Sequence, residues 1–134
     1  MKRWPSLIRL LLADDNPAML ETLVDMLGTD FVIVGSLTNG ASVLAEGVRL
    51  KPDVILLDVS LGDMTGFQVA ERLHSRGCYA KIVFLSVYEN VEFVRAAFNI
   101  GASGYVFKSQ IGRDLANAIR IASVGGNFVA PANV

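Results

Sequence analysis

At 134 residues the chain has the commonest size of a single domain and is long enough to close one hydrophobic core. Hydrophobic residues make up 52% and charged residues 19%, which is too apolar for a disordered chain. With 12 Lys+Arg against 13 Asp+Glu the net charge is -1, so the chain lacks the basic excess with which a protein holds nucleic acid through its own charge. The single cysteine, Cys78, has no internal disulfide partner, which favours a reducing compartment. No run approaches the roughly 18 apolar residues of a membrane span, and the basic start of the chain is not followed by a signal-peptide core. A soluble, cytoplasmic protein is expected.

Short apolar runs alternate with helical spacing along the whole chain. The first run, 8–13, ends on Asp14 and Asp15; Asn16 and Pro17 then supply a capping residue and a first-turn proline. The helix they start has the stripe Leu20, Leu23, Val24 and Leu27. A second run, 31–37, precedes the stripe Ala41, Leu44, Ala45 and Val48, stopped at Lys51-Pro52. The third run, 54–57, ends at Asp58, and Gly66, Val69, Ala70 and Leu73 follow with i, i+3, i+4, i+7 spacing. The fourth, 82–85, ends at Ser86 and is followed by Phe93, Ala96, Ala97 and Ile100, with Gly101 as the stop. The fifth, 104–107, ends at Lys108 and leads to Leu115, Ala118, Ile119 and Ala122. Continuous runs of four to seven Val, Ile, Leu and Phe residues suit strands covered on both faces. Five such βα units predict a right-handed, doubly wound parallel sheet with helices on both sides.

In that architecture chemistry gathers at the carboxyl ends of the strands. There the sequence sets three carboxylates (Asp14, Asp15, Asp58), a hydroxyl (Ser86) and an ammonium (Lys108). Three carboxylates together repel one another unless a cation intervenes, and an oxygen-only set suits Mg²⁺. A carboxylate can attack phosphorus, and phosphoryl transfer asks mainly for in-line positioning and neutralised oxygens. On this reading Asp15 and Asp58 hold the ion, Asp14 acts through a bound water, and Lys108 and Ser86 serve the phosphoryl oxygens. The one histidine, His74, and Cys78 are read as a solvated helix residue and a loop thiol, without a site role.

The ordered set Leu12-Ala13-Asp14-Asp15-Asn16, then 52–61 (PDVILLDVSL) with Gly66, Ile82-Val83-Phe84-Leu85-Ser86 and 101–108 (GASGYVFK), resembles the receiver domain of bacterial two-component response regulators. The resemblance runs from Leu7 onward. It implies a flavodoxin-like (CheY-like) α/β fold with sheet order 2-1-3-4-5. It implies Asp58 as phosphoacceptor, Asp14 and Asp15 as the acidic pair, and the Ser60 backbone carbonyl as a further Mg²⁺ ligand. Ser86 and Tyr105 become the switch pair, Tyr105 turning inward as Ser86 is drawn to the phosphoryl group. The phosphodonor would be a sensor histidine kinase, and the domain would be a switch, not a turnover enzyme.

The stretch 125–131 (GGNFVAP) is similar to the end of receivers in the NarL/LuxR-type family. The expected layout is a tail at 1–6, the receiver at 7–126 and, at 127–134, the start of a linker to a helix-turn-helix output domain beyond Val134. DNA would be bound only by that output domain; the alternative is a stand-alone receiver that docks on a protein partner. A homodimer is also expected. Gly62 and Ser109 stand where many receivers carry proline, and Tyr88, two residues beyond Ser86, is expected to shield the phosphoryl group from water. A haloacid-dehalogenase-type phosphatase would need an acid at Ser60, and a flavodoxin would need a phosphate cradle where the acidic pair stands.

Overall fold

The structure, a computed structural model, describes residues 7–129; the expected tail at 1–6 and the end of the expected linker at 130–134 lie outside the described residues. Six strands and five helices alternate: β1 Arg9–Ala13, α1 Pro17–Leu27, β2 Val32–Leu37, α2 Gly40–Leu50, β3 Val54–Asp58, α3 Gly66–Ser75, β4 Lys81–Ser86, α4 Val91–Asn99, β5 Gly104–Phe107, α5 Ile111–Ser123 and β6 Phe128–Val129. A single 3₁₀ turn, Lys108–Gln110, joins β5 to α5. Every strand pair is parallel, in the order β2-β1-β3-β4-β5-β6. The expected 2-1-3-4-5 order is present. One two-residue strand extends it, pairing Gly104 with Phe128 and Tyr105 with Val129.

The central strands are apolar on both faces because both faces are covered. Leu11, Ile55, Leu57 and Phe84 face one core with α2, α3 and α4, while Leu10, Leu12, Leu56, Val83 and Val106 face the other with α1 and α5. Fully burying each such side chain stabilises by about 1.5–3 kcal/mol. Asn16 caps α1 as expected, accepting from the Ala18 N–H at 2.9 Å, with Pro17 at the first helical position. The helix α3 opens with a full capping box between Thr65 and Gln68.

The stripe expected for α2 needs correction. Ala41, Ala45 and Val48 are exposed, and the buried face is Gly40, Val43, Leu44 and Gly47. Glycines are the reason: a Cβ on Gly47 would stand 2.9 Å from Leu73 Cδ2, and one on Gly40 would collide with the Met64 side chain. The helix approaches α3 through positions that have no side chain to count. In α1, Val24 likewise faces outward, and in α4 only Ala97 is fully buried.

Candidate functional site

The strand ends deliver the polar residues to one edge. Asp58 and Ser86 are the last residues of β3 and β4, not the first residues beyond them, and Lys108 opens the 3₁₀ turn after β5. Asp14 and Asp15 follow β1 directly, where the Asp14 N–H still donates to the Leu37 carbonyl at 3.1 Å. A backbone tied this closely into the sheet gives the side chains little freedom to move apart.

Carboxylate oxygens of Asp14, Asp15 and Asp58 lie within 4.8 Å of one another. Asp14 and Asp58 are buried and Asp15 is exposed. The Lys108 ammonium reaches across them, donating to Asp58 Oδ2 at 3.0 Å and standing 2.9 Å from Asp14 Oδ2. The second contact is a charge contact without hydrogen-bond alignment, which leaves Asp14 Oδ2 buried and without a donor. The other oxygens are satisfied locally: Asn16 N–H donates to Asp14 Oδ1 at 2.9 Å and Ser60 N–H to Asp58 Oδ1 at 3.0 Å.

Electrostatics follow from this geometry. Burial, with the Asp14 charge adding to it, pushes the Asp58 carboxyl up to about 6 against the opposing pull of the Ser60 N–H and Lys108. Burial pushes the Lys108 ammonium down, but its contacts with Asp14 and Asp58 outweigh this and the net direction is up. One lysine therefore stays charged while facing more negative charge than it can neutralise. A buried oxygen without a donor, in an all-oxygen cluster with no His or Cys, fits a hard divalent cation such as Mg²⁺. Asp14, Asp15 and Asp58 are the residues that would hold it.

Ser86 and Tyr105 form a second cluster on β4 and β5. Ser86 Oγ accepts the Tyr88 N–H at 2.9 Å, and the Tyr105 hydroxyl donates to the Tyr88 carbonyl at 2.7 Å. Tyr105 is fully buried within its strand. Burial pushes its phenol up. The Tyr88 ring is stacked on Phe93 in α4, with centroids 4.4 Å apart, and its backbone joins Ser86 to Tyr105.

Sequence reasoning missed two further ties. Ser109 Oγ donates to Glu89 Oε2 at 2.8 Å, fastening the 3₁₀ turn to the β4–α4 loop. Asp63 accepts from Gly40 N–H at 2.8 Å and Ala41 N–H at 3.1 Å, fastening the β3–α3 loop to the start of α2. Both join loops far apart in sequence, and no local pattern announces such a pair.

A doubly wound parallel sheet with a lysine-bridged carboxylate cluster at its strand ends defines a receiver-type α/β module. The family model described as "Response regulator receiver domain" matches residues 10–120, and the chain belongs to that family. Among relatives, the chain is 35% identical over 119 residues to the nitrate/nitrite response regulator protein NarL of Escherichia coli, covering 87% of this chain and 55% of that protein. It is 34% identical over 125 residues to the DNA-binding transcriptional activator DevR/DosR of Mycobacterium tuberculosis, covering 92% of this chain and 58% of the relative. The chain thus spans little more than half the length of these regulators. A solved LuxR-family response regulator from Aurantimonas sp. superposes with a TM-score of 0.89 at 24% identity, covering 94% of this chain and 91% of that one. The receiver domain of the response regulator NarL from Mycobacterium tuberculosis gives 0.84 at 28% identity, covering 90% and 99%. Among the described residues, no helix is long and apolar enough to cross a membrane.

Proposed function

We propose that this receiver is a phosphorylation switch in which Asp58 is the phosphoacceptor and a sensor histidine kinase is the donor. The observation that carries the reading is the shared edge of Asp14, Asp15 and Asp58 with Lys108 bridging two of them. In the transfer an ionised Asp58 oxygen bonds to phosphorus as the phosphorus–nitrogen bond of the phosphohistidine breaks, and the imidazole nitrogen keeps that electron pair. Bound Mg²⁺ would supply positive charge to the phosphoryl oxygens, in the manner general for phosphoryl transfer. Lys108 is released from Asp58 to meet one phosphoryl oxygen. Ser86 uses its hydroxyl as acceptor toward Tyr88 N–H, so its own proton is free to be donated to another. Tyr88 connects that event to Tyr105 and β5. The relatives' output suggests what is switched: a DNA-binding domain carboxyl-terminal to the receiver.

Intact-protein mass after incubation with acetyl phosphate and Mg²⁺ tests the reading. One added phosphoryl group on the wild type, absent without Mg²⁺ and absent in Asp58→Asn, is expected. No added mass under any condition would overturn it.

A further inference from the structure

We propose that Asp63 is a positioning residue for the metal site, tethering the β3–α3 loop to the amino end of α2 so that Ser60 is held in place. The inference rests on the phosphorylation-switch reading, since it concerns the same Mg²⁺ site.

The loop between Asp58 and Gly66 carries Ser60, whose N–H already returns to Asp58 Oδ1 at 3.0 Å. Two residues later stands Gly62, at a φ of +85° with nothing within 4 Å of where a Cβ would be. A glycine in that region gives the loop freedom that a side chain would remove. Proline, with φ near −65°, could not take this conformation. Something else must restrain the loop, and the next residue does.

Both oxygens of Asp63 are engaged, one with the Gly40 N–H and one with the Ala41 N–H. These are the first two N–H groups of α2, where a helix has unpaired donors and a positive dipole end. The carboxyl of Asp63 is held below its ordinary value, first by the Gly40 N–H and then by the Ala41 N–H, as fits a charged acceptor. Since Asn39 already caps α2 through the Ser42 N–H at 2.8 Å, Asp63 is not needed merely to start the helix.

Neighbouring contacts make the tether stiff. Met64 lies against Gly40, where a Cβ would meet Met64 Sδ at 2.9 Å. Inside the loop, Leu61 N–H donates to the Met64 carbonyl at 3.3 Å, Asp63 N–H to the Leu61 carbonyl at 3.0 Å, and Ser60 bridges Thr65. The loop is thus closed on itself and fixed to α2 at one point, Asp63-Met64. Remove the Asp63 carboxylate and the turn at Gly62 is the part free to rearrange, carrying the Ser60 carbonyl with it. Groups that orient metal ligands from outside the coordination sphere typically change affinity by about 10- to 100-fold. The lower end applies here, because Ser60 contributes only a neutral carbonyl.

The test uses isotope-labelled wild type, Asp63→Ala, Asp63→Asn and Asn39→Ala, followed by amide NMR. Hydrogen exchange is read first in metal-free protein and Mg²⁺ affinity then by titration. In Asp63→Ala, amides at 60–64 should exchange faster without metal, and the Mg²⁺ dissociation constant should rise about tenfold. Asp63→Asn, which keeps one acceptor for Gly40, should fall between. Asn39→Ala removes the other cap of the same helix and should leave Mg²⁺ affinity unchanged. Equal weakening in Asn39→Ala and Asp63→Ala would overturn the tether in favour of plain helix stability. Unchanged affinity in Asp63→Ala beside a wild type that binds would overturn it outright. A wild type that takes up no Mg²⁺ would sink the switch reading itself, and this inference with it.

Discussion

Asp58 sits in conflict with its surroundings, and the conflict has a measurable sign. Its carboxyl is pushed up to about 6 from an ordinary 3.8, chiefly by burial and then by Asp14, so in metal-free protein its charged form is worse placed folded than unfolded. The folded state then binds more protons than the unfolded state between those two values, and stability falls as pH rises through that window. Replacing Asp58 with Asn removes the charge without changing the shape. In EDTA, Asp58→Asn should be more stable than wild type by ~1–2 kcal/mol above pH 7, after allowance for nearby water. The gap should close as pH falls toward 4. Thermal melts at pH 8, 6 and 4 check this, and a variant no more stable than wild type at pH 8 would show that Lys108 fully compensates the pair. A cation held among Asp14, Asp15 and Asp58 would relieve the same strain.

At the scale of elements, the parts legible in the sequence were those with side chains to read. The five long strands announced themselves by apolar runs, and Asp14, Asp15, Asp58 and Lys108 by falling just where those runs end. The face of α2 was misjudged because Gly40 and Gly47 do the packing, and apolar periodicity has nothing to count at a glycine. The strand β6 escaped because two residues make no pattern, and Asp63 because its partners lie more than 20 positions back. The bond from the Tyr105 hydroxyl to the Tyr88 carbonyl, 17 positions back, is likewise supplied only by three-dimensional proximity. Glycine also controls the approach of α3 to the site. A Cβ on Gly66 would run into the Asp58 backbone carbonyl, and Gly66 N–H donates to the Val59 carbonyl at 2.7 Å. Gly66→Ala must therefore push the start of α3 away from the end of β3. The expected cost is about 1–3 kcal/mol, by overpacking against backbone that cannot yield. Urea melts would read it, and a loss well below that range would mean that α3 slides freely.

Across the whole molecule, the site and the far edge of the sheet are connected through few elements. The strand β5 carries Tyr105 and pairs on one side with β4, where Ser86 pairs with Phe107, and on the other with β6, where Tyr105 pairs with Val129. The helix α4 next to it has one fully buried residue, Ala97, with Phe93, Val94 and Phe98 only partly buried against the same core, so its packing is the softer side of that core. A rearrangement around Ser86 and Tyr105 thus meets little resistance from α4 but cannot pass beyond β5 without meeting β6. That strand is short: its ladder begins with Phe128 N–H donating to the Ser103 carbonyl at 2.9 Å, and Phe128 is only partly buried against the second core. Short edge strands open at low free-energy cost, which makes their exchange rates sensitive to small shifts in the strand they lean on. Binding of Mg²⁺ and beryllium fluoride, a phosphoryl mimic, should change the exchange rate of the Phe128 amide by about tenfold, equal to ~1.4 kcal/mol of opening free energy. Amides of Leu11 and Leu56, in strands paired on both sides, should stay as they were. A Phe128 amide that ignores the mimic while Tyr88 and Tyr105 respond would mean that the change leaves the domain through α4 alone.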